Sequence, residues 1–280
     1  MTPKQFRIQT LNAIDAAGLS RFPDDRYEVG AGVQNPHALL LRSAKLHDTP
    51  IPESVLAVAR AGAGTNNIPV AALTERGVPV FNTPGANANA VKELVLAGLF
   101  IASRNLIPAA RFAHTLQGDD AAITAAVEAG KKRFVGFELP GRTLGIIGLG
   151  AIGVQVANAA LGLGLRVVGY DPAISVEHAW LLSSEVERAQ SIDEVFRRAD
   201  ILTVHVPLIP STEGLVSTQK IAMMKPTAVI LDFARAEIVD TEAVVTALDE
   251  DRLTGYVCDF PSTLVHKHPK CISLPHLGAS

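Results

Sequence analysis

The spacing of three glycines constrains this chain most. Gly148, Gly150 and Gly153 follow directly on an apolar run at 144–147. That run suits a parallel strand buried on both faces. An Ala/Val-rich stretch at 151–163 suits a helix, with Gly162 and Gly164 as stop signals. A second apolar run starts at 166 and ends on Asp171. Strand, tight turn, helix, strand and terminal acid come in the order that wraps a dinucleotide. Gly148 permits the sharp exit from the strand, Gly150 leaves room for a pyrophosphate, and Gly153 lets the helix approach the sheet. The helix start offers N–H groups and a partial positive charge to phosphates. Asp171, 18 positions after Gly153, can accept hydrogen bonds from ribose hydroxyls and repels a 2′-phosphate, which favours NAD over NADP.

The rest of the composition narrows the setting. A length of 280 residues predicts two domains, and 48% apolar against 19% charged residues describes an ordered globular chain. The net charge of −3, with no long basic run, argues against nucleic acid or an anionic membrane as a partner. No apolar run reaches spanning length, and the N-terminus lacks a signal-peptide pattern. Cys258 and Cys271 do not form a disulfide framework, so a reducing cytoplasm is the expected setting.

Along the first 88 residues, short apolar runs at 6–10, 38–41, 55–59 and 78–81 read as strands or short buried pieces of a small α/β domain. Two polar turns follow such runs. One carries Arg42 and Ser43; the other, opening with Arg60, carries Gly62, Ala63 and Gly64. Arginine forks and glycine-rich turns suit an anion, although ordinary solvated loops have the same composition. A breaker-rich boundary at 82–87 precedes a long apolar helix near 90–103 that Asn87 or Asn89 could cap. A second helix is expected at 107–117. The polar segment 118–134 then holds Lys131, Lys132 and Arg133, read as a solvated basic patch. Beyond Asp171, helices at 191–198, 217–224 and 241–248 alternate with strands at 201–206, 228–231, 255–259 and 271–274. This β-α-β order means a doubly wound parallel sheet with helices on both faces.

Chemistry in such a sheet sits just past the strand ends, which here hold His205, Arg235, Asp259 and His276. A nicotinamide dehydrogenase needs a cation for a carboxylate and a base near neutral pKa for a hydroxyl proton. Arg235 and His276 are of the right types, although a lone histidine is also a common structural residue.

The ordered motifs carry more than the spacing. They are LRS at 41–43, RAGAGTNNI at 60–68, FNTP at 81–84 with Asn87, GIIGLGAIG at 145–153 and GYDP at 169–172. They continue with TVHVPL at 203–208, Ala234 with Arg235, IVD at 238–240 and PHLGAS at 275–280. Together they resemble the D-2-hydroxyacid dehydrogenase family, its D-3-phosphoglycerate dehydrogenases above all. The resemblance implies two domains. Residues 1–88 would be a smaller flavodoxin-like α/β substrate-binding domain lacking its C-terminal returning helix, and 89–280 the doubly wound NAD-binding domain. It implies Arg235 as the group that binds and polarises the substrate, and His276 as the acid/base. Arg42, Ser43, Arg60, Gly62, Ala63 and Gly64 would hold the substrate's phosphate and carboxylate. Gly148, Gly150, Ala151, Ile152, Gly153, Asp171, Val206, Phe233, Ala234, Asp259 and Gly278 would line the NAD site. The implied reaction is NAD-dependent oxidation of 3-phospho-D-glycerate, a small anionic substrate, in a homodimer or higher homo-oligomer with the 131–133 cluster near its interface. The alternatives are another D-2-hydroxyacid dehydrogenase, such as a glyoxylate/hydroxypyruvate reductase, and a non-catalytic NAD(H)-binding scaffold.

Two departures stand out. The family places a glutamate about five residues after the strand-end aspartate, against the catalytic histidine; here that position is Leu264, and 260–270 contains no carboxylate. Glu237 is the nearest substitute in the motifs, and otherwise the histidine works unassisted. The chain also stops at Ser280, inside the histidine motif, and so reads as a fragment of a longer chain. His266, His268 and Cys271 lack the paired spacing of a zinc site, so no metal is expected. Cys258 should be inert in an apolar strand, and Trp180 should serve packing.

Overall fold

A computed structural model describes residues 5–278. The chain divides into two compact units, Met1–Asn87 and Ala88–Ser280. The first is built on a five-stranded, wholly parallel sheet. Its elements are β1 (Phe6–Leu11), α1 (Ala16–Leu19), β2 (Tyr27–Gly30), β3 (Ala38–Leu41), β4 (Ala57–Arg60), α2 (Val70–Glu75) and β5 (Val80–Phe81), in the strand order β2-β1-β3-β4-β5. That is the flavodoxin-like order, whose switch point lies between β1 and β3. Alternation along β3 sends Leu39 and Leu41 into a core with Leu46, Val58, Ile68 and Leu73.

The second unit opens with α3 (Ala88–Ser103), α4 (Leu106–His114), α5 (Asp120–Gly130) and a 3-10 turn (Lys131–Phe134). Its seven strands are β6 (Thr143–Ile147), β7 (Arg166–Tyr170), β8 (Glu187–Arg188), β9 (Ile201–Val204), β10 (Val229–Asp232), β11 (Gly255–Cys258) and β12 (Cys271–Ser273). All pair in parallel, in the order β12-β11-β10-β9-β6-β7-β8. The connections include α6 (Ala151–Gly162), α7 (Val176–Leu181), α8 (Ile192–Arg198), α9 (Thr218–Ile221) and α10 (Thr241–Asp249). One core packs α8, α9 and α10 on one face around Phe196, Leu202 and Ile230; the other packs α3 and α6 around Val95, Leu144, Ile146 and Leu231. Burial on both faces is why β6, β9 and β10 read as unbroken apolar runs.

The α/β expectation with parallel sheets therefore holds, and local departures have local causes. The polar 118–134 segment is mostly helix. Asp119 caps α5 by accepting from Ala122 N–H at 2.9 Å, and the Ala-rich run behind it propagates the helix. β2, α7 and β8 carry too little apolar periodicity to be read from sequence. Asn89 lies inside the first turn of α3, where it bonds Glu93 and Lys92 instead of capping. Trp180 does not pack: it is 84% exposed on α7 beside exposed Val176 and Leu181. The expected strand at 201–206 ends at Val204, ahead of Pro207. No helix among the described residues is long and apolar enough to cross a membrane.

Phe196 is fully buried where α8 meets the sheet. Phe196→Ala is expected to cost about 3–5 kcal/mol, read as a lowered denaturation midpoint by circular dichroism; a change below ~1 kcal/mol would contradict this packing.

Candidate functional site

In the second unit, strand register places the candidate residues. Ile147 is paired with both Tyr170 and Val204, Asp232 with both Val204 and Cys258, and Cys258 with Ser273. The strands thus reach one level together. The residues that follow that row are Gly148, Asp171, His205, Phe233, Asp259 and Leu274. The switch in winding direction falls between β6 and β9, beside Gly148.

The glycine loop is shaped for a phosphate group. Gly148 turns with φ +92°, and a Cβ there would lie 2.7 Å from the His205 carbonyl oxygen. A Cβ on Gly153 would run into the Gly148 carbonyl, so only glycine lets α6 start this close to the strand. Gly150 is the opposite case: a Cβ there meets nothing within 4 Å. Gly150 N-caps α6 without a side-chain acceptor, which leaves the first-turn N–H groups of Ala151 and Ile152 for an anion. Asp171 braces the same loop, accepting Leu149 N–H at 2.8 Å and Ala173 N–H at 2.8 Å on its two oxygens. Each oxygen keeps a lone pair for a ribose hydroxyl. The open position at Gly150, the undecorated helix start and the strand-end acid fit a dinucleotide.

Val206 borders the loop, its Cγ1 3.0 Å from where a Gly148 Cβ would be. His205 holds Thr203 Oγ1 through Nε2 at 3.1 Å, and burial pushes its pKa down to about 4. It is therefore a neutral histidine at physiological pH, unsuited to carry a proton there. The Phe233 ring is committed to packing against Gly98 of α3, so this residue can face a cofactor only through its backbone.

The segments that carry Arg235 and His276 are each held by a strand-end aspartate. Asp232, fully buried, accepts Ala234 N–H at 3.2 Å on Oδ1. The Ala234 carbonyl in turn accepts the Arg235 guanidinium at 2.6 Å. Asp259, 1% exposed, accepts Leu277 N–H and Gly278 N–H, both at 2.8 Å, one on each oxygen. Its own carbonyl accepts His276 N–H at 3.1 Å. His276 adopts φ +56° and is exposed, its imidazole edge-on to Phe260 with centroids 5.1 Å apart. Among the described residues no carboxylate hydrogen-bonds this imidazole, and Glu237 sits exposed in the 3-10 turn Ala236–Ile238 without reaching it.

Sequence reading missed Asp232 and its partner Tyr256, whose hydroxyl donates to Asp232 Oδ2 at 3.3 Å. Desolvation raises the Asp232 pKa to about 7, against the Ala234 and Tyr256 hydrogen bonds that lower it. The available signal was an aspartate closing an apolar strand. Cys258 fits an inert role, its thiol pushed up to about 11 by burial. His266 and His268 have structural partners, Ser262 O and Asp249 with Lys270 N–H. A cavity of about 410 Å³ opens at the opposite, N-terminal edge of the sheet, lined by Arg142, Asp200 and Lys270 among others, and contains no candidate residue.

In the first unit the anion candidates lie at the β1/β3 switch point and the neighbouring strand end. Asn12, with φ +73°, accepts Ser43 N–H at 3.1 Å and Ala44 N–H at 2.6 Å, fixing the turn that carries Arg42. Arg60 Nε donates to the Arg42 carbonyl at 2.9 Å. The Gly62 turn is tied to Thr83, whose hydroxyl accepts Gly62 N–H at 2.8 Å, and the Ala63 carbonyl accepts Asn82 Nδ2 at 2.6 Å. Gly64 is half-buried in the same turn.

Residues 99–278 match the family described as D-isomer specific 2-hydroxyacid dehydrogenase, NAD binding domain. The chain belongs to that family. It is 39% identical over 237 residues to a D-3-phosphoglycerate dehydrogenase of Methanocaldococcus jannaschii, covering 81% of this chain and 42% of that protein. The Rattus norvegicus D-3-phosphoglycerate dehydrogenase is 36% identical over 265 residues, covering 90% and 46%. The chain thus spans about half the length of the curated relatives it matches. Among solved structures, the apo D-mandelate dehydrogenase of Rhodotorula graminis superposes with a TM-score of 0.81 at 26% identity, covering 99% of this chain and 89% of that one.

Gly150 gives a test of whether this loop takes NAD, because its Cβ position is open within the protein and its backbone is extended. Gly150→Val is expected to leave Tm within ~2 °C while NADH affinity, followed by fluorescence, falls on the order of 100-fold. Unchanged NADH affinity would move the pyrophosphate elsewhere.

Proposed function

We propose that this chain catalyses the NAD-dependent oxidation of 3-phospho-D-glycerate to 3-phosphohydroxypyruvate, the entry reaction of serine biosynthesis. The observation that carries the reading is the shared edge of the second unit's sheet. A dinucleotide loop, an arginine and a histidine leave it together, and the arginine and histidine segments are each fixed by an aspartate. Bound NAD+ supplies the hydride acceptor. Arg235 pairs with the substrate carboxylate and polarises the forming carbonyl. His276 takes the hydroxyl proton as the C–H bond breaks, so that hydroxy acid and NAD+ give oxo acid, NADH and a proton. Gly148, Gly150, Ala151, Ile152, Gly153, Asp171, Val206, Phe233, Ala234, Asp259 and Gly278 line the cofactor. Arg42, Ser43 and Arg60, with the turn of Gly62, Ala63 and Gly64, take the phosphate and carboxylate. The first unit is accordingly the substrate-binding domain and the second the NAD-binding domain.

The same reading makes the protein a cytoplasmic homo-oligomer. Its two free cysteines suit a reducing compartment, and exposed Phe100, Leu106 and Val135 suit burial against a second copy. One observation favours a second reading, NAD(H) binding without turnover: the imidazole of His276 meets Phe260 rather than a carboxylate. Another D-2-hydroxyacid dehydrogenase activity is separated by comparing phosphorylated with plain substrates.

The assay is NADH appearance with 3-phospho-D-glycerate. His276→Ala is expected to lower kcat by ~10²–10⁴-fold while NADH affinity stays within a factor of ~2. Full activity in the variant removes His276 from the chemistry. Reduction of glyoxylate or hydroxypyruvate, followed as NADH disappearance, without oxidation of 3-phospho-D-glycerate replaces the phosphorylated substrate, and NADH binding without turnover of any hydroxy or oxo acid selects the scaffold.

A further inference from the structure

We infer that Asp232 and Tyr256 form a buried positioning pair that sets the Arg235 guanidinium for its substrate through the single residue Ala234. The geometry is direct. Asp232 Oδ1 holds the Ala234 N–H, and the Ala234 carbonyl holds Arg235 Nη1, so the residue whose carbonyl anchors the guanidinium is itself tied to Asp232 by its N–H. The other carboxyl oxygen is not spare: Tyr256 Oη–H donates to it from the neighbouring strand. Neither Asp232 nor Tyr256 reaches solvent appreciably, so water cannot substitute for either partner. The Asp232 backbone also serves the opposite loop, because its carbonyl accepts the N–H of Asp259, the residue that fixes the His276 segment. One strand-end residue thus touches the supports of both Arg235 and His276.

The ionised carboxylate suits this arrangement best, since both of its oxygens act as acceptors and charge assistance strengthens both bonds. A protonated carboxyl must give one oxygen a donor role, which weakens the hold on Ala234. Burial brings this exchange to about pH 7. The titratable groups facing Asp232 are Tyr256 and Cys258 on β11, Asp259 just past it, and Glu237 in the turn after Arg235. Asp259 and Glu237 oppose its ionisation, and the Tyr256 hydroxyl favours it. On the other side β9 presents apolar Val204 in register.

The inference rests on Arg235 being the substrate-facing cation. It is tested in the reduction direction, with NADH and 3-phosphohydroxypyruvate, where acid supplies the proton His276 must donate and does not remove it. The KM for the oxo acid is expected to rise about fivefold between pH 8 and pH 6, beyond whatever change the substrate's own phosphate imposes. Asp232→Asn, neutral at every pH, is measured with the same substrate. It should lose that fivefold component, its KM lying near the wild-type pH 6 value at both pH values, while NADH affinity stays near wild type. Tyr256→Phe removes the bond that favours the carboxylate and should move the transition to higher pH. An Asp232→Asn enzyme with the wild-type pH dependence of KM overturns the inference.

If no oxo acid is reduced, the reading of the site fails, and amide hydrogen exchange then decides the pair without turnover. Corrected for intrinsic rates, the 233–238 segment should exchange more slowly at pH 8 than at pH 6 in the wild type and equally at both in Asp232→Asn. Equal exchange at both pH values in the wild type overturns the pair as well.

Discussion

Parallel register is the constraint on which the second unit depends. Six of its strands reach one level at Tyr170, Ile147, Val204, Asp232, Cys258 and Ser273. Strands buried on both faces cannot slip by a residue without turning one core's side chains into the other. Packing on both faces thus fixes the register of the hydrogen-bonded sheet, and its C-terminal edge becomes a common shelf. Everything that resembles chemistry in this unit is a loop leaving that shelf.

The loops are tied to the shelf by a repeated device. Asp171, Asp232 and Asp259 each close or follow a strand, and each accepts backbone N–H groups from the loop beside it. A carboxylate is well suited to this: it offers two acceptor oxygens, and its bonds to N–H groups are stronger than neutral ones. Asp171 shapes the phosphate turn, Asp232 the arginine segment and Asp259 the histidine segment. The burial that makes Asp232 effective also raises its pKa, so the hold on Arg235 comes with sensitivity to pH near neutrality.

The β6–α6–β7 unit was legible because each of its glycines has one physical duty. Gly148 avoids a carbonyl, Gly153 admits the helix, and Gly150 keeps a space open. Unbroken apolar runs likewise announced the central strands. Other features were hidden for definite reasons. The polar residues of 118–134 mask the helical signal of the Asp119 cap and the alanines that make α5 a helix. Residue type alone predicts packing for Trp180, yet the six-residue α7 leaves it 84% exposed. Asp232 and Tyr256 lie 24 residues apart, and only the β10–β11 pairing brings them together. The departure at Leu264 was visible in the chain, and the structure adds that Phe260, not Glu237, meets the His276 ring.

The central claim is that the shelf presents a site built for NAD, with Asp171 choosing it over NADP. Isothermal titration of the intact protein with NADH and, separately, NADPH tests this most directly. The account predicts saturable NADH binding at one site per chain and NADPH bound at least ~10-fold more weakly, because the 2′-phosphate would face the Asp171 carboxylate. Absence of NADH binding, or equal affinity for the two, would contradict it.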